Sequence, residues 1–150
     1  MSYIDQNLMQ GETVKYRSHL HKIIFFWPVT WLVVAILIIS NGEKTVSLGL
    51  LFMFFAIISG LLTFLNYRTS EFGVTNKKII VKIGFIRRNA FEMFLDKIES
   101  IHINQSIIGR ILGFGSVIVS GTGGSKDPFH KINAPLQLRK IIQEEIAKLS

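Results

Sequence analysis

IIFFWPVTWLVVAILII (Ile23 to Ile39) and VSLGLLFMFFAIISGLLTFL (Val46 to Leu65) contain no charged residue. At about 1.5 Å per helical residue they reach about 26 and about 30 Å, against a bilayer hydrocarbon core of roughly 30 Å. Both are long enough to span a membrane. Only Ser40-Asn41-Gly42-Glu43-Lys44-Thr45 separates them, a polar and turn-rich link that allows an antiparallel helical hairpin and little else. The competing reading is two buried helices of a soluble protein. A chain of 150 residues has too little other material to cover two helices that are apolar all round.

Details within and around the runs agree with a hairpin in lipid. Trp27, Trp31 and Tyr67 fall where one membrane interface would lie, and Pro28 falls in the first turn, where its missing N–H costs least. Ala56, Ser59, Gly60 and Thr63 give small residues at helical spacing, suited to close packing of the two helices or to packing against another copy. Lys15, Arg17 and Lys22 precede the first run and Arg68, Lys77 and Lys78 follow the second, whereas the link has Lys44 offset by Glu43. The positive-inside bias predicts both termini in the cytoplasm. A cleaved signal peptide is the alternative for the first run, but no small-x-small cleavage site lies near Ser40. The expected organisation is a cytoplasmic segment over 1–22, a transmembrane hairpin over 23–65 (23–39 and 46–65) and a cytoplasmic domain over 66–150.

Composition narrows the function classes. Hydrophobic residues make up 49% of the chain, and from Asn66 onward 13 Lys and Arg face 7 Asp and Glu, so most of the net +7 sits in the C-terminal part. A basic domain beside a membrane fits an anionic leaflet, and no nucleic-acid recognition motif is present. Zero Cys excludes disulfides, thiolate metal sites and cysteine nucleophiles.

Outside the hairpin the hydrophobic period is two. Met1 to Gln10 is weakly patterned and reads as mobile. Thr13 to Arg17 alternates as a short strand or is simply the interfacial lead-in to the first helix. Strands are expected over Asn66–Val74, Lys78–Ile83, Phe85–Met93, Lys97–Gln105, Gly115–Thr122 and Asp127–Ile132, with a single helical turn in Ser106–Gly113. Asn133 as N-cap and Pro135 open a closing helix whose stripe is Leu138, Ile141, Ile142, Ile146 and Leu149. The fold class is α+β: a helical hairpin followed by an antiparallel β-barrel or sandwich of six to seven strands, capped by a C-terminal amphipathic helix.

An ordered set of motifs then resembles the bacterial pleckstrin-homology (PH) domain of the membrane-flanked kind. It comprises Val74-Thr75-Asn76-Lys77-Lys78-Ile79-Ile80, Gly84 with Arg87 or Arg88, Leu95-Asp96-Lys97-Ile98 leading to Gln105-Ser106, and Gly109-Arg110-Ile111-Leu112-Gly113-Phe114-Gly115. Gly11-Glu12 and His19 match the way such proteins begin. The resemblance implies two sheets with a C-terminal helix, two transmembrane helices and no enzyme activity.

The basic set Lys77, Lys78, Lys82, Arg87 and Arg88 would, in a PH-like fold, surround the loop that holds headgroups in eukaryotic relatives. In this chain Arg87 and Arg88 are adjacent, where the eukaryotic signature flanks one other residue. The set is either a diffuse attractor of anionic lipid, at about 1 kcal/mol per basic residue near the surface, or a solvated face. Gly121 to Lys126 imitates a phosphate loop but lacks its Gly-Lys-Ser/Thr ending and reads as a hairpin turn. His19 with His21 makes a poor metal pair, and Ser125, Asp127 and His130 lack an oriented base and an oxyanion hole. The expectation is a multi-pass protein of the bacterial inner membrane with no cofactor, no metal and no catalytic residue. It would act as a scaffold through self-association or an unidentified membrane protein partner; the alternative is a module that binds anionic phospholipid. Membrane lipids are its expected surroundings and nucleic acid is not a partner.

Overall fold

The computed structural model describes residues 2–85, 88–124 and 126–150. Along the chain come α1 (Tyr3–Gln6), β1 (Val14–Ser18), α2 (Phe26–Ser40), α3 (Val46–Thr69), β2 (Glu71–Thr75), β3 (Lys78–Ile83) and β4 (Asn89–Phe94). They are followed by β5 (Ile98–Asn104), α4 (Ile107–Leu112), β6 (Phe114–Gly121), β7 (Lys126–Asn133) and α5 (Pro135–Leu149). These form two compact units, one of Lys22–Arg68 and one of the residues up to His21 together with Thr69–Ser150. The N-terminal segment belongs with the C-terminal part, and the hairpin is an insertion between β1 and β2.

In the hairpin unit a turn of 3-10 helix over Lys22–Phe25 leads into α2, and Pro28 sits in its first helical turn without interrupting it. Thr45 closes the link by donating its hydroxyl to the carbonyls of Ile38 and Gly42, each at 2.8 Å. Of the two α3 glycines, Gly49 is the tighter, where a Cβ would stand 2.4 Å from Ile39 Cγ1, whereas a Cβ at Gly60 would stand 3.8 Å from Pro28 Cβ. Ala35 and Ala56 are buried between them. α3 continues to Thr69, so the strand expected from Asn66 starts only at Glu71. No helix breaker occurs in Asn66-Tyr67-Arg68-Thr69, and Arg68 in the last turn suits the negative end of the helix dipole. Both helices, Lys22–Ser40 and Glu43–Thr69, are long and apolar enough to cross a membrane, and 11% of each apolar window is buried.

The other unit holds two antiparallel sheets, β1-β2-β3-β4 and β5-β6-β7. Phe72 and Phe91 of the first sheet meet Phe129 of the second, with ring centroids 6.0 and 5.6 Å apart. Val74, Ile79 and Val81 face this core with Val117, Val119 and Ile132. After β1 the chain crosses to the second sheet: Leu20 bridges Ile132, the His21 N–H donates to the Lys131 carbonyl and the Asn133 N–H donates to the His19 carbonyl. On the opposite side β4 and β5 are joined through a 3-10 turn at Leu95–Lys97 and, among the described residues, do not pair. The fold is thus an open pair of sheets and not a closed barrel.

α5 packs on β1, β2, β5 and β6, burying Pro135, Leu138 and Ile142. Its N-cap is Ala134 and not Asn133, because Asn133 remains paired with Phe114 in the β6–β7 ladder and the chain turns through a left-handed Ala134 (φ 48°). Leu149 of the expected stripe is exposed, and Glu145 is buried in an ion pair with Lys148.

Residues 2–12 form a cover and not a loose tail. Ile4 is 1% exposed and lies over Gly73, where a Cβ would come within 2.7 Å of Ile4 Cδ1. Glu71 accepts from the Ser2 hydroxyl (2.6 Å), Thr75 donates to Glu12 (2.5 Å), and Arg17 pairs with Asp5. The segment covers the face of β2 and β3 that a free tail would have left in solvent.

Candidate functional site

The five basic residues start from strand β3 and its flanking turns. Alternation puts Ile79 and Val81 toward the core and Lys78, Ile80 and Lys82 on the other face. That outer face lies under the N-terminal cover. Lys78 is 3% exposed, and its ammonium donates to Glu92 Oε2 (2.7 Å) and to the Asn7 carbonyl (3.0 Å). Its charge is neutralised inside the protein. The Lys82 ammonium stands 5.0 Å from the centroid of the Tyr3 ring, a cation–π distance, and Lys77 donates to the Gln10 carbonyl at 3.2 Å. Arg88 is exposed, and Arg87 lies outside the described residues.

Lys77 and Lys78 start β3, whereas Lys82 is near its end and Arg88 follows the turn beyond it. At about 3.3 Å per strand residue, Lys78 and Lys82 are roughly 13 Å apart. The set is distributed along the sheet with one member buried, so the described residues do not converge on a single headgroup. Nothing in the sequence signalled the burial of Lys78, because its cover comes from residues about seventy positions earlier.

Of the helix-packing residues, Ala56 is buried, Gly60 faces Pro28, and Ser59 and Thr63 are half-buried, with the Ser59 hydroxyl donating to its own helix at the Ala56 carbonyl (3.1 Å). The tightest position, Gly49, was missed. It lies seven residues before Ala56, so extending the small-residue spacing by two turns would have found it.

The remaining polar residues are engaged structurally. His21 stacks on Phe114 with centroids 5.1 Å apart, and His130 Nδ1 lies 2.9 Å from Ser116 Oγ, not against Asp127. Ser125 lies outside the described residues. Gly123 (φ 110°) and Gly124 (φ 80°) shape the turn between β6 and β7, in place of a phosphate loop. Among the described residues no three His, Asp or Glu side chains are grouped to hold a metal.

A different surface stands out. α4 exposes Ile107 by 77%, Ile108 by 62%, Ile111 by 78% and Leu112 by 47%, around an exposed Arg110. Ser106 caps the helix by accepting from the Gly109 N–H at 3.0 Å, and Gly113 ends it in the left-handed region, φ 79°. The sequence announced the helical turn but neither its caps nor the outward direction of its isoleucines.

No curated protein and no solved structure matches the chain. The family model described as the bacterial PH domain matches residues 23–146, which takes in the hairpin, β2 to β7 and most of α5. With two antiparallel sheets, a closing C-terminal helix and this match across most of its length, the chain belongs to the bacterial PH domain family.

Proposed function

We propose that this protein is a membrane-anchored, non-catalytic scaffold of the bacterial inner membrane, working through self-association or through a protein partner at the cytoplasmic face. The observation that carries the reading is a sheet whose first two strands are separated by two membrane-length apolar helices and whose far strand, β4, is an edge. The helices give a two-pass anchor, and the basic residues flanking them favour cytoplasmic termini. An unpaired edge accepts an added strand, and confinement to a membrane raises effective concentration. The alternative, anionic-phospholipid binding through Lys77, Lys78, Lys82, Arg87 and Arg88, loses support from the pairing of Lys78 with Glu92.

Native mass spectrometry of the full chain released from mild detergent tests the scaffold. A defined multiple of the 17.0 kDa chain, or a stable second protein, supports it, and Phe94→Lys on the β4 edge should then reduce the complex. A monomer carrying only lipid would overturn it. Single cysteines placed at Gly42 and Lys126 of this cysteine-free chain, labelled from either side of sealed vesicles, read the topology. Labelling of both from one side contradicts the two-pass anchor.

A further inference from the structure

The sheet unit has two distinct ends. One carries the turn after β2 (Thr75 to Lys78), the Leu95–Lys97 turn and the β6–β7 turn, tied together by the Leu95 N–H donating to Lys77 and the Thr122 N–H donating to Lys97. At the other end β1 finishes, β2 begins and β3 finishes, and β5, β6 and β7 end, start and end respectively. The chain leaves the unit at this second end, after His21, and re-enters it at Thr69. α4 lies at the same end: it joins β5 to β6, the Gly113 carbonyl accepts from the Ala134 N–H, and Phe114 stacks on His21, the last residue before the hairpin.

Four large aliphatic side chains, each at least 47% exposed within a six-residue helix, carry a cost in water that nothing within the unit offsets. Other exposed apolar residues of the unit, such as Met9, Phe94 and Leu149, are dispersed along the chain. The segment that carries the patch has basic charge only. Arg110 sits among the isoleucines, Lys131 lies on the neighbouring strand end, and from Ser100 to Lys126 the sequence has no acidic residue. Aliphatic residues around an arginine, with no carboxylate in the loop, match the acyl boundary and anionic headgroups of a lipid surface. A surface meant for soluble acidic protein would not need so much aliphatic area.

We propose that α4 is an interfacial element that inserts Ile107, Ile108 and Ile111 into the headgroup–acyl boundary of an anionic bilayer, with Arg110 at the phosphate level, and so holds the sheet unit against the membrane. This rests on the reading of the hairpin as a membrane anchor. It differs from headgroup recognition by the β3 lysines, since it requires neither a pocket nor a particular lipid. Insertion limits the tumbling of the unit and leaves the β4 edge presented in a restricted set of directions.

The test uses the full chain in vesicles of phosphatidylcholine and phosphatidylglycerol, with plain or brominated acyl chains. In the unaltered protein Trp27 and Trp31 report on the hairpin; in a Trp27→Phe, Trp31→Phe background, Ile111→Trp reports on α4 and Phe94→Trp on the opposite end. The expected result is bromine quenching and blue-shifted emission for Ile111→Trp, with Phe94→Trp unaffected. If Trp27 and Trp31 are quenched while Ile111→Trp is not, the inference is overturned and the anchor stands. If Trp27 and Trp31 are themselves unquenched, both readings fall. A blue shift at Ile111→Trp without quenching, growing with protein density, would assign the patch to a second copy and also overturn the proposal. Should the tryptophan replacements unfold the chain, a nitroxide on Ile108→Cys in the otherwise unchanged protein reads the same contact through its accessibility to oxygen.

Discussion

The hairpin and the sheet unit use the same aliphatic and aromatic residues in opposite ways. In the hairpin Phe54, Phe55, Ile57 and Leu61 are each more than half exposed, and the buried positions are Pro28, Ala35, Gly49 and Ala56, none of them a large aliphatic or aromatic residue. In the sheet unit large residues such as Phe72, Ile80, Leu95 and Ile132 are inside, and most charged residues lie outside, with Glu12, Lys78 and Glu145 enclosed among their partners. The difference follows from the surroundings. Sheets in water gain by removing apolar area from solvent, about 25 cal/mol per Å², whereas helices in lipid, the surroundings proposed for the hairpin, would gain only by fitting closely. α4 is the place where the two patterns mix, with hairpin-like outward isoleucines on a unit otherwise built for water.

The sharpest way to break this contrast is a pair of truncations. Phe72→Ala removes a ring that is 1% exposed and should cost about 3–5 kcal/mol. Leu61→Ala, at a position 58% exposed, should change stability by no more than about 0.5 kcal/mol in bilayers. Denaturation of the vesicle-bound chain, followed by hydrogen exchange of the sheet amides, measures both; equal losses would mean the hairpin is packed as a soluble core.

The cover over β3 is tested next. Glu92→Ala leaves the Lys78 ammonium enclosed with only the Asn7 carbonyl, and because Glu92 is partly exposed the expected loss is about 2 kcal/mol, below that of a fully buried pair. Lys78→Met should cost less, since no charge is stranded. If Lys78→Met instead leaves stability unchanged and lowers binding to anionic vesicles, Lys78 is a lipid ligand after all.

Within the hairpin, Gly49→Leu puts a side chain where even a Cβ would meet Ile39 and should destabilise the pairing of the helices by about 1–3 kcal/mol. Emission from Trp31, whose ring is 5.6 Å from that of Phe52, follows the separation during thermal unfolding in detergent. The smallest effect is expected at Ala134, where φ is 48°. Ala134→Gly should stabilise the sheet unit by up to about 1 kcal/mol, read as a rise in its unfolding midpoint.

Local pattern made much of this legible. The uncharged runs announced α2 and α3, period-two alternation located the strands near Val14–Ser18, Lys78–Ile83, Ile98–Asn104 and Phe114–Gly121, and a helical turn was expected within Ser106–Gly113, where α4 lies. Boundaries slipped where two states compete on equal terms. Asn66 to Thr69 can extend a helix or start a strand, and the hydrogen bonds already running along α3 decided for the helix. The candidate site was less legible, because whether a lysine on a strand faces water depends on what else the chain brings to that face.

By itself the sequence determined the hairpin, the strand periodicity, the closing helix and the positive balance of the C-terminal part, since each depends on neighbours within a few turns or a few strand residues. The tertiary structure alone decided that β1 belongs with β2 across the inserted hairpin, and that residues 2–12 shut Lys78 and Gly73 away from water. It alone decided, too, that the sheets stay open between β4 and β5 and that the isoleucines of α4 point outward. Those outcomes depend on contacts between segments far apart in the chain, whose register and burial are set by packing and not by local preference.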